Sequence, residues 1–92
     1  MSVQWLFDVI KSRRQNPSDK SYTSSLFAEG LPKIAQKVGE ESTEVVVAAL
    51  AQDDQRLIEE VADLTYHTMV LLAARGLKPQ DIVLELEKRH KR

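Results

Sequence analysis

Cysteine is absent from the 92-residue sequence, and glycine, proline and aromatic residues are scarce. Without cysteine the chain has no disulfide, no thiolate zinc site and no cysteine nucleophile. This composition fits a reducing compartment, and we expect a cytoplasmic location. No apolar run reaches the roughly 18 residues of a membrane span. The first residues also lack the basic start and long apolar stretch of a signal peptide, so we expect none.

The chain has no excess of charge of either sign. Its formal net charge is −1 and its isoelectric point is about 6.1. We therefore expect neither a nucleic acid nor an anionic membrane surface as its main partner. The length fits one domain spanning residues 1–92. A chain this short buries only about 60–65% of its unfolded surface, so we expect its stability to be marginal or shared with a partner subunit.

The few glycines and prolines divide the sequence into helical segments. Apolar residues recur at helical spacing, and Gly30, Pro32, Gly76 and Pro79 mark helix ends and starts. The predicted segments are a helix at 3–14, a helical turn at 24–29, two long helices on either side of a break at 51–54, and a helix from 79 to about 89. The β-branched run 45–47 has no turn residues at its edges, so we interpret it as helix. The predicted class is all-α, and the short break makes the two long helices an antiparallel hairpin.

Acidic residues are concentrated in this hairpin. Eight of the 14 acidic residues lie between Glu40 and Asp63, and Arg56 is the only basic residue in that window. The apolar stripes of the two helices indicate which of these carboxylates approach the packed surfaces. The predicted stripes are Ile34, Val38, Val45, Ala48 and Ala49 on the first helix, and Leu57, Val61, Leu64, Thr68, Leu71 and Leu72 on the second.

Four carboxylates lie at or near these stripes. Glu41 falls inside the first stripe, and Glu44 lies on its edge. Glu60 lies on the edge of the second stripe, with Asp63 a little further round. If the turn is centred on residue 52, Glu44 is level with Glu60. By the same count Glu41 is level with Asp63. The i, i+3 spacing points both members of each helical pair to one side, so the four side chains converge.

Converging carboxylates repel one another unless positive charge lies between them. Proton sharing, a divalent cation, and a solvated face with salt bridges to Lys33, Lys37 and Arg56 each account for the cluster. The mirrored spacing and the position of Glu41 inside a stripe favour the cation. Oxygen ligands without sulfur select hard ions, so we expect Mg²⁺, with Mn²⁺ as the second choice. Such a site usually serves phosphate chemistry, and no P-loop motif is present.

The order of these residues is informative. Glu40-Glu41-x-x-Glu44, fifteen further residues, and then Glu60-x-x-Asp63 resemble the motif of the MazG-type all-α nucleoside triphosphate pyrophosphatases. Within that superfamily, the chain resembles the phosphoribosyl-ATP pyrophosphatase family over about residues 6–89. The segments that carry this closer resemblance are Ser21-Tyr22-Thr23, Leu26-Phe27, Gly30, Lys33-Ile34, Lys37-Val38-Gly39-Glu40-Glu41 and Ala62-Asp63-Leu64-x-Tyr66-His67.

The resemblance implies Mg²⁺-dependent hydrolysis of phosphoribosyl-ATP to phosphoribosyl-AMP and pyrophosphate, the second step of histidine biosynthesis. It also implies a homodimer of helical hairpins with a four-helix-bundle-like core. Carried over residue by residue, the metal ligands are Glu41, Glu44, Glu60 and Asp63. Glu40 or Glu44 is implied to take a proton from the attacking water. The implied substrate contacts are Lys33, Lys37, Ser21, Tyr22, Thr23 and His67.

Several alternatives stay open at the level of single residues. Lys37 lies one turn before Glu41 and reaches either that carboxylate or a bound phosphate. Glu40 points away from the apolar stripe, where it binds a second metal, orients a water, or pairs with Lys33 or Lys37. His67 is either a contact of the metal–substrate site or a structural hydrogen-bonding residue.

Two other functions also stay open. A house-cleaning pyrophosphatase of the same superfamily, acting on ordinary or damaged nucleotides, has the same carboxylate motif, although the Ser-Tyr-Thr segment weighs against it. A non-enzymatic helical dimerisation module predicts that the carboxylates are replaceable without loss of any activity. It also predicts that Mg²⁺ does not raise the thermal stability of the protein, since no ligand would bind the folded state.

Overall fold

The computed structural model describes residues 1–90, and this part of the chain forms five α-helices and no strand. The helices are α1 (Val3–Gln15), α2 (Tyr22–Glu29), α3 (Leu31–Ala51), α4 (Asp54–Ala74) and α5 (Pro79–His90). The predicted all-α class is confirmed, and the valine run 45–47 lies inside α3. None of the described helices is both long enough and apolar enough to cross a bilayer.

Local capping explains where the helices begin and end. The Asp53 carboxylate accepts a hydrogen bond from the Arg56 backbone N–H at 2.9 Å and so caps α4, which is separated from α3 by only two residues. Gly30 and Gly76 have φ values of 94° and 73°, in the left-handed region that favours glycine, at the ends of α2 and α4. The helix α2 begins two residues earlier than predicted because the Ser21 hydroxyl caps it, accepting from the Ser24 N–H at 3.1 Å.

Helices α1 to α4 enclose one core at the end of the hairpin that lies away from its turn. The hairpin helices α3 and α4 pack against each other, α1 packs on α4, and α2 bridges α1 and α3. The buried apolar residues are Phe7, Ile10, Leu26, Ile34, Met69, Val70, Leu72 and Ala73. Four helices of one chain therefore contribute to this core, and among the described residues Ala48 is also buried, nearer the turn.

A second apolar surface of the same helices stays open. Of the predicted stripes, Ala49 and Val61 are exposed, the latter by 43%, and several other members are only half-buried. The helix α5 has no buried residue, although Ile82, Val83 and Leu86 lie along it. Met69, Val70 and Ala73, which lie outside the predicted stripe, are buried together with Leu72 of that stripe, because α1 packs on α4 in addition to α3.

Candidate metal centre

The hairpin brings the four predicted carboxylates together. Oxygen atoms of Glu41, Glu60 and Asp63 lie within 4.8 Å of one another, as the donors of a single metal ion would. Glu44 lies close enough to Glu41 and Glu60 to raise the pKa of both, and it lines the same cleft as Glu60. Glu41 and Glu44 come from α3, and Glu60 and Asp63 come from α4, so each helix supplies one i, i+3 pair.

Two of these carboxylates are buried at the hairpin interface. Glu41 is 6% exposed and Glu60 is 5% exposed, whereas Asp63 and Glu44 lie on the exposed side of the cluster. The Oε2 atoms of Glu41 and Glu60 are buried and have no hydrogen-bond donor within the described part of the chain. A buried oxygen without a partner costs stability, and a hard cation among these oxygens would satisfy both atoms at once. The residues present therefore fit a divalent metal ion.

Burial and the neighbouring negative charges raise the pKa values of two carboxylates in the cluster. Burial, followed by the contact with Glu44 and the charge of Asp63, raises the pKa of Glu41. The contact with Glu44, followed by burial, raises the pKa of Glu60. Both shifts have the direction expected for like charges brought together out of water. A divalent cation in the cluster would favour the ionised forms and reverse this effect.

Two basic residues flank the cluster, each four residues before a carboxylate. On α3, Lys37 Nζ lies 3.7 Å from Glu41 and 3.4 Å from Glu40. On α4, Arg56 Nη2 lies 2.6 Å from Glu60, and its Nη1 lies 2.6 Å from Glu59. Arg56 is absent from the site residues implied by the family resemblance. The signal that identifies it is the i, i+4 spacing to Glu60, which repeats the spacing of Lys37 to Glu41.

Glu40 stands outside the carboxylate cluster. Its carboxylate accepts hydrogen bonds from Gln36 at 2.7 Å and from Lys37 at 3.4 Å. These two bonds, with the nearby charge of Lys33, lower the pKa of Glu40. The ion pair with Lys37, one of the roles left open for this residue, is therefore present, and its roles toward a second metal or a water stay predictions.

The start of α2 is attached to α4 beside the cluster. The Tyr22 hydroxyl lies 3.1 Å from His67 Nε2, and His67 Nδ1 lies 2.8 Å from the backbone carbonyl of Asp63. Because a carbonyl only accepts, Nδ1 carries the proton and Nε2 accepts from Tyr22. Thr23 is hydrogen-bonded to Tyr66, and the rings of Tyr22 and Tyr66 stack with centroids 6.2 Å apart.

His67 has no free ring nitrogen in this arrangement. The side chain is buried, and both of its ring nitrogens have partners. The structural hydrogen bond left open by the sequence is therefore present, whereas its contact with substrate stays a prediction that requires a rearranged bond. Among the other predicted substrate residues, Thr23 is buried, Ser21 and Lys33 are half-buried, and Tyr22 is exposed.

Comparison with known proteins agrees with the resemblance seen in the sequence. The family model for phosphoribosyl-ATP pyrophosphohydrolase matches residues 3–90. The chain belongs to this family. The match includes the whole carboxylate cluster, both flanking cations and the residues at the start of α2.

Individual relatives extend this likeness across bacteria and archaea. A phosphoribosyl-ATP pyrophosphatase of Clostridium botulinum (strain Hall) is 52% identical over 90 residues, covering 98% of this chain and 82% of the relative. The protein of that name from Lacticaseibacillus casei is 54% identical over 88 residues, covering 96% of this chain and 80% of the relative. That from Sulfurisphaera tokodaii is 50% identical over 86 residues, covering 94% and 92%.

Proposed function

We propose that this protein hydrolyses phosphoribosyl-ATP to phosphoribosyl-AMP and pyrophosphate, as a cytoplasmic enzyme of histidine biosynthesis. The observation that carries the proposal is the cluster of Glu41, Glu60 and Asp63, with Glu44 in contact, in a chain of this family. Two unpartnered buried oxygens in that cluster are costly in a protein that binds nothing there.

The metal in this proposal is Mg²⁺, held by Glu41, Glu44, Glu60 and Asp63. Oxygen donors without sulfur or imidazole among them suit a hard cation of this kind. When bound, Mg²⁺ would neutralise phosphate oxygens and lower the pKa of a water molecule. Mn²⁺ has the same ligand preference and is the expected substitute.

The reaction needs a water oxygen to bond to phosphorus while the anhydride bond between the α- and β-phosphates breaks. We assign the base that takes the water proton to Glu44. Although Glu44 is also one of the proposed ligands, it lies on the exposed side of the cluster, next to Glu41 and Glu60. Glu40 is less suited, because Gln36 and Lys37 already occupy its carboxylate and lower its pKa.

Substrate binding is assigned to the residues around the α2 end of the cluster. Lys37 and Lys33 supply positive charge for phosphate oxygens, and Lys37 would exchange its pairing with Glu41 for that role. The start of α2, at residues 21–23, lies next to α4 through the bonds to Tyr66 and His67. The substrate would there bind hydroxyl or backbone N–H groups of Ser21, Tyr22 and Thr23. His67, which is hydrogen-bonded to Tyr22, is the further predicted contact.

A homodimer is part of the same proposal. The open apolar surface of the hairpin, which includes Val61, and the uncovered face of α5 are available for a second copy. A 92-residue chain gains much from such burial because its own core is small. Sedimentation of the wild-type protein and of Val61→Lys tests this. We expect the wild-type protein to be a dimer, and Val61→Lys to be folded but either monomeric or more weakly dimeric. A wild-type protein that is monomeric at all concentrations contradicts the proposal.

The experiment that tests the function is pyrophosphate release from phosphoribosyl-ATP, with and without Mg²⁺, with ATP and dUTP as competing substrates. We expect Mg²⁺-dependent turnover of phosphoribosyl-ATP alone, and loss of turnover in Glu41→Gln. Turnover of the plain nucleotides instead would assign the protein to house-cleaning pyrophosphatases. No turnover of any of them by folded protein would leave the helical dimerisation module.

A further inference from the structure

Arg56 is the only basic residue in the acidic window 40–63, and it lies next to the carboxylate cluster. Its guanidinium bridges Glu60 and Glu59, with both N···O distances at 2.6 Å. Glu60 is buried, and its other oxygen has no hydrogen-bond partner among residues 1–90. Arg56 is therefore bound to a residue of the metal centre, and is itself half exposed to solvent.

A cleft opens beside this ion pair, at the turn end of the hairpin. Its volume is about 280 Å³. Its lining residues are Glu44, Val47, Gln52, Arg56 and Glu60. The cleft thus contains two carboxylates of the cluster and one guanidinium, and no aromatic side chain. Such a lining suits a small polyanion that shares a divalent cation with the carboxylates, and it offers no stacking surface for a base.

The opposite end of the cluster differs from this cleft because aromatic side chains lie near it. Lys37 lies there near Tyr22, whose ring stacks on that of Tyr66. In the antiparallel hairpin, Arg56 is level with residue 48 of α3, eleven residues beyond Lys37. At 1.5 Å per residue the two cations are about 16 Å apart along the hairpin, with the carboxylates between them.

We propose that Arg56 binds the pyrophosphate end of the substrate in this cleft. The polyphosphate chain then points toward the turn of the hairpin, and the nucleoside points toward Tyr22 and Tyr66. The inference rests on the proposed function. Arg56 exchanges its bond to Glu60 for bonds to phosphate oxygens, which leaves the Glu60 carboxylate free for the metal. A guanidinium suits this exchange, since its planar set of N–H groups forms bidentate hydrogen bonds with carboxylates and with phosphates.

The test measures binding of each product to the intact protein by calorimetry in the presence of Mg²⁺. The variants are Arg56→Gln, Arg56→Lys and the control Arg89→Gln, which breaks an exposed i, i+4 ion pair with Glu85 on α5. We expect Arg56→Gln to weaken pyrophosphate binding by about 10- to 100-fold, the range of a hydrogen bond between charged groups. Binding of phosphoribosyl-AMP and of Mg²⁺ alone is expected to stay within about twofold, and Arg56→Lys to recover part of the loss.

Three results overturn the proposal. Unchanged pyrophosphate binding by Arg56→Gln refutes the contact while leaving the proposed function intact. An equal loss for both products means that Arg56 organises the metal centre rather than one end of the substrate. Failure of the wild-type protein to bind either product, or Mg²⁺, removes the proposed function and this inference with it.

Discussion

Replacing Glu41 with glutamine should change the stability of this protein in opposite directions without and with Mg²⁺. In the metal-free protein the carboxylate is 6% exposed, its Oε2 has no hydrogen-bond partner, and Glu44 and Asp63 add like charge. Glutamine has nearly the same shape and removes that charge. With Mg²⁺ bound, by contrast, the same substitution removes an anionic ligand.

The size of each effect follows from these contacts. A buried unsatisfied polar group costs about 1–3 kcal/mol, and glutamine relieves part of this cost because it carries no charge and its amide N–H groups can donate to the neighbouring carboxylates. The nearby Lys37 ammonium, 3.7 Å away, offsets part of this, so we expect a gain of about 1 kcal/mol for metal-free Glu41→Gln. For a domain of this size that corresponds to a rise in Tm of about 4–8 °C. Mg²⁺ at a hundredfold excess over its Kd stabilises the wild type by about 2.7 kcal/mol, and this gain should largely vanish in the variant.

The assay is thermal unfolding by circular dichroism, after removal of divalent ions with a chelator and again across a Mg²⁺ titration. Glu87→Gln, an exposed change of the same chemistry on α5, is the matched control and should leave both Tm values unchanged. The reasoning is refuted if metal-free Glu41→Gln melts below the wild type while Mg²⁺ raises both Tm values equally. In that case the cluster is neither strained by its charge nor a metal site.

Further predictions concern the pH dependence, the core, a helix cap and the α2 contact. Because the pKa of Glu41 is raised by folding, its destabilising effect appears as the pH rises above the ordinary glutamate value of about 4.3; the Tm advantage of metal-free Glu41→Gln should therefore shrink as the pH is lowered toward 4, and an advantage constant with pH would contradict this. Ile34→Ala removes a fully buried side chain and should cost about 2–5 kcal/mol in urea unfolding, whereas a cost below 1 kcal/mol would show that the core collapses to fill the space. Asp53→Ala removes the cap of α4 and should cost about 1 kcal/mol in the same assay, with Asp53→Asn retaining most of the stability. Tyr22→Phe removes the bond to His67 and should raise KM for phosphoribosyl-ATP more than it lowers kcat; an unchanged KM would remove Tyr22 from substrate binding.

The helices and the convergence of carboxylates were predictable because both follow from local geometry. Helical spacing places Glu41 and Glu44 on one side of α3, and the two-residue break at the turn sets which residues of α4 lie level with them. Capping residues such as Asp53 are recognisable from sequence because they act on N–H groups only a few residues away. The predicted start of α2 was two residues too late. The segment contains several serine and threonine residues that can cap a helix, and the spacing of apolar residues does not show that Ser21 is the one that does so.

The all-α class, the hairpin and the membership of the carboxylate cluster were predictable from the amino-acid sequence, since helix period and turn length are properties of neighbouring residues. Tertiary packing was needed to show that Glu60 and His67 are buried rather than at the edge of a stripe. Burial of Glu60 depends on how α3 packs on α4, and burial of His67 depends also on Tyr22 at the start of α2. The same holds for Val61, which is 43% exposed although it belongs to the predicted stripe. The tertiary structure also decided which oxygens lack partners and that Arg56 bonds to Glu60, since such contacts depend on side-chain conformations at an interface between two helices.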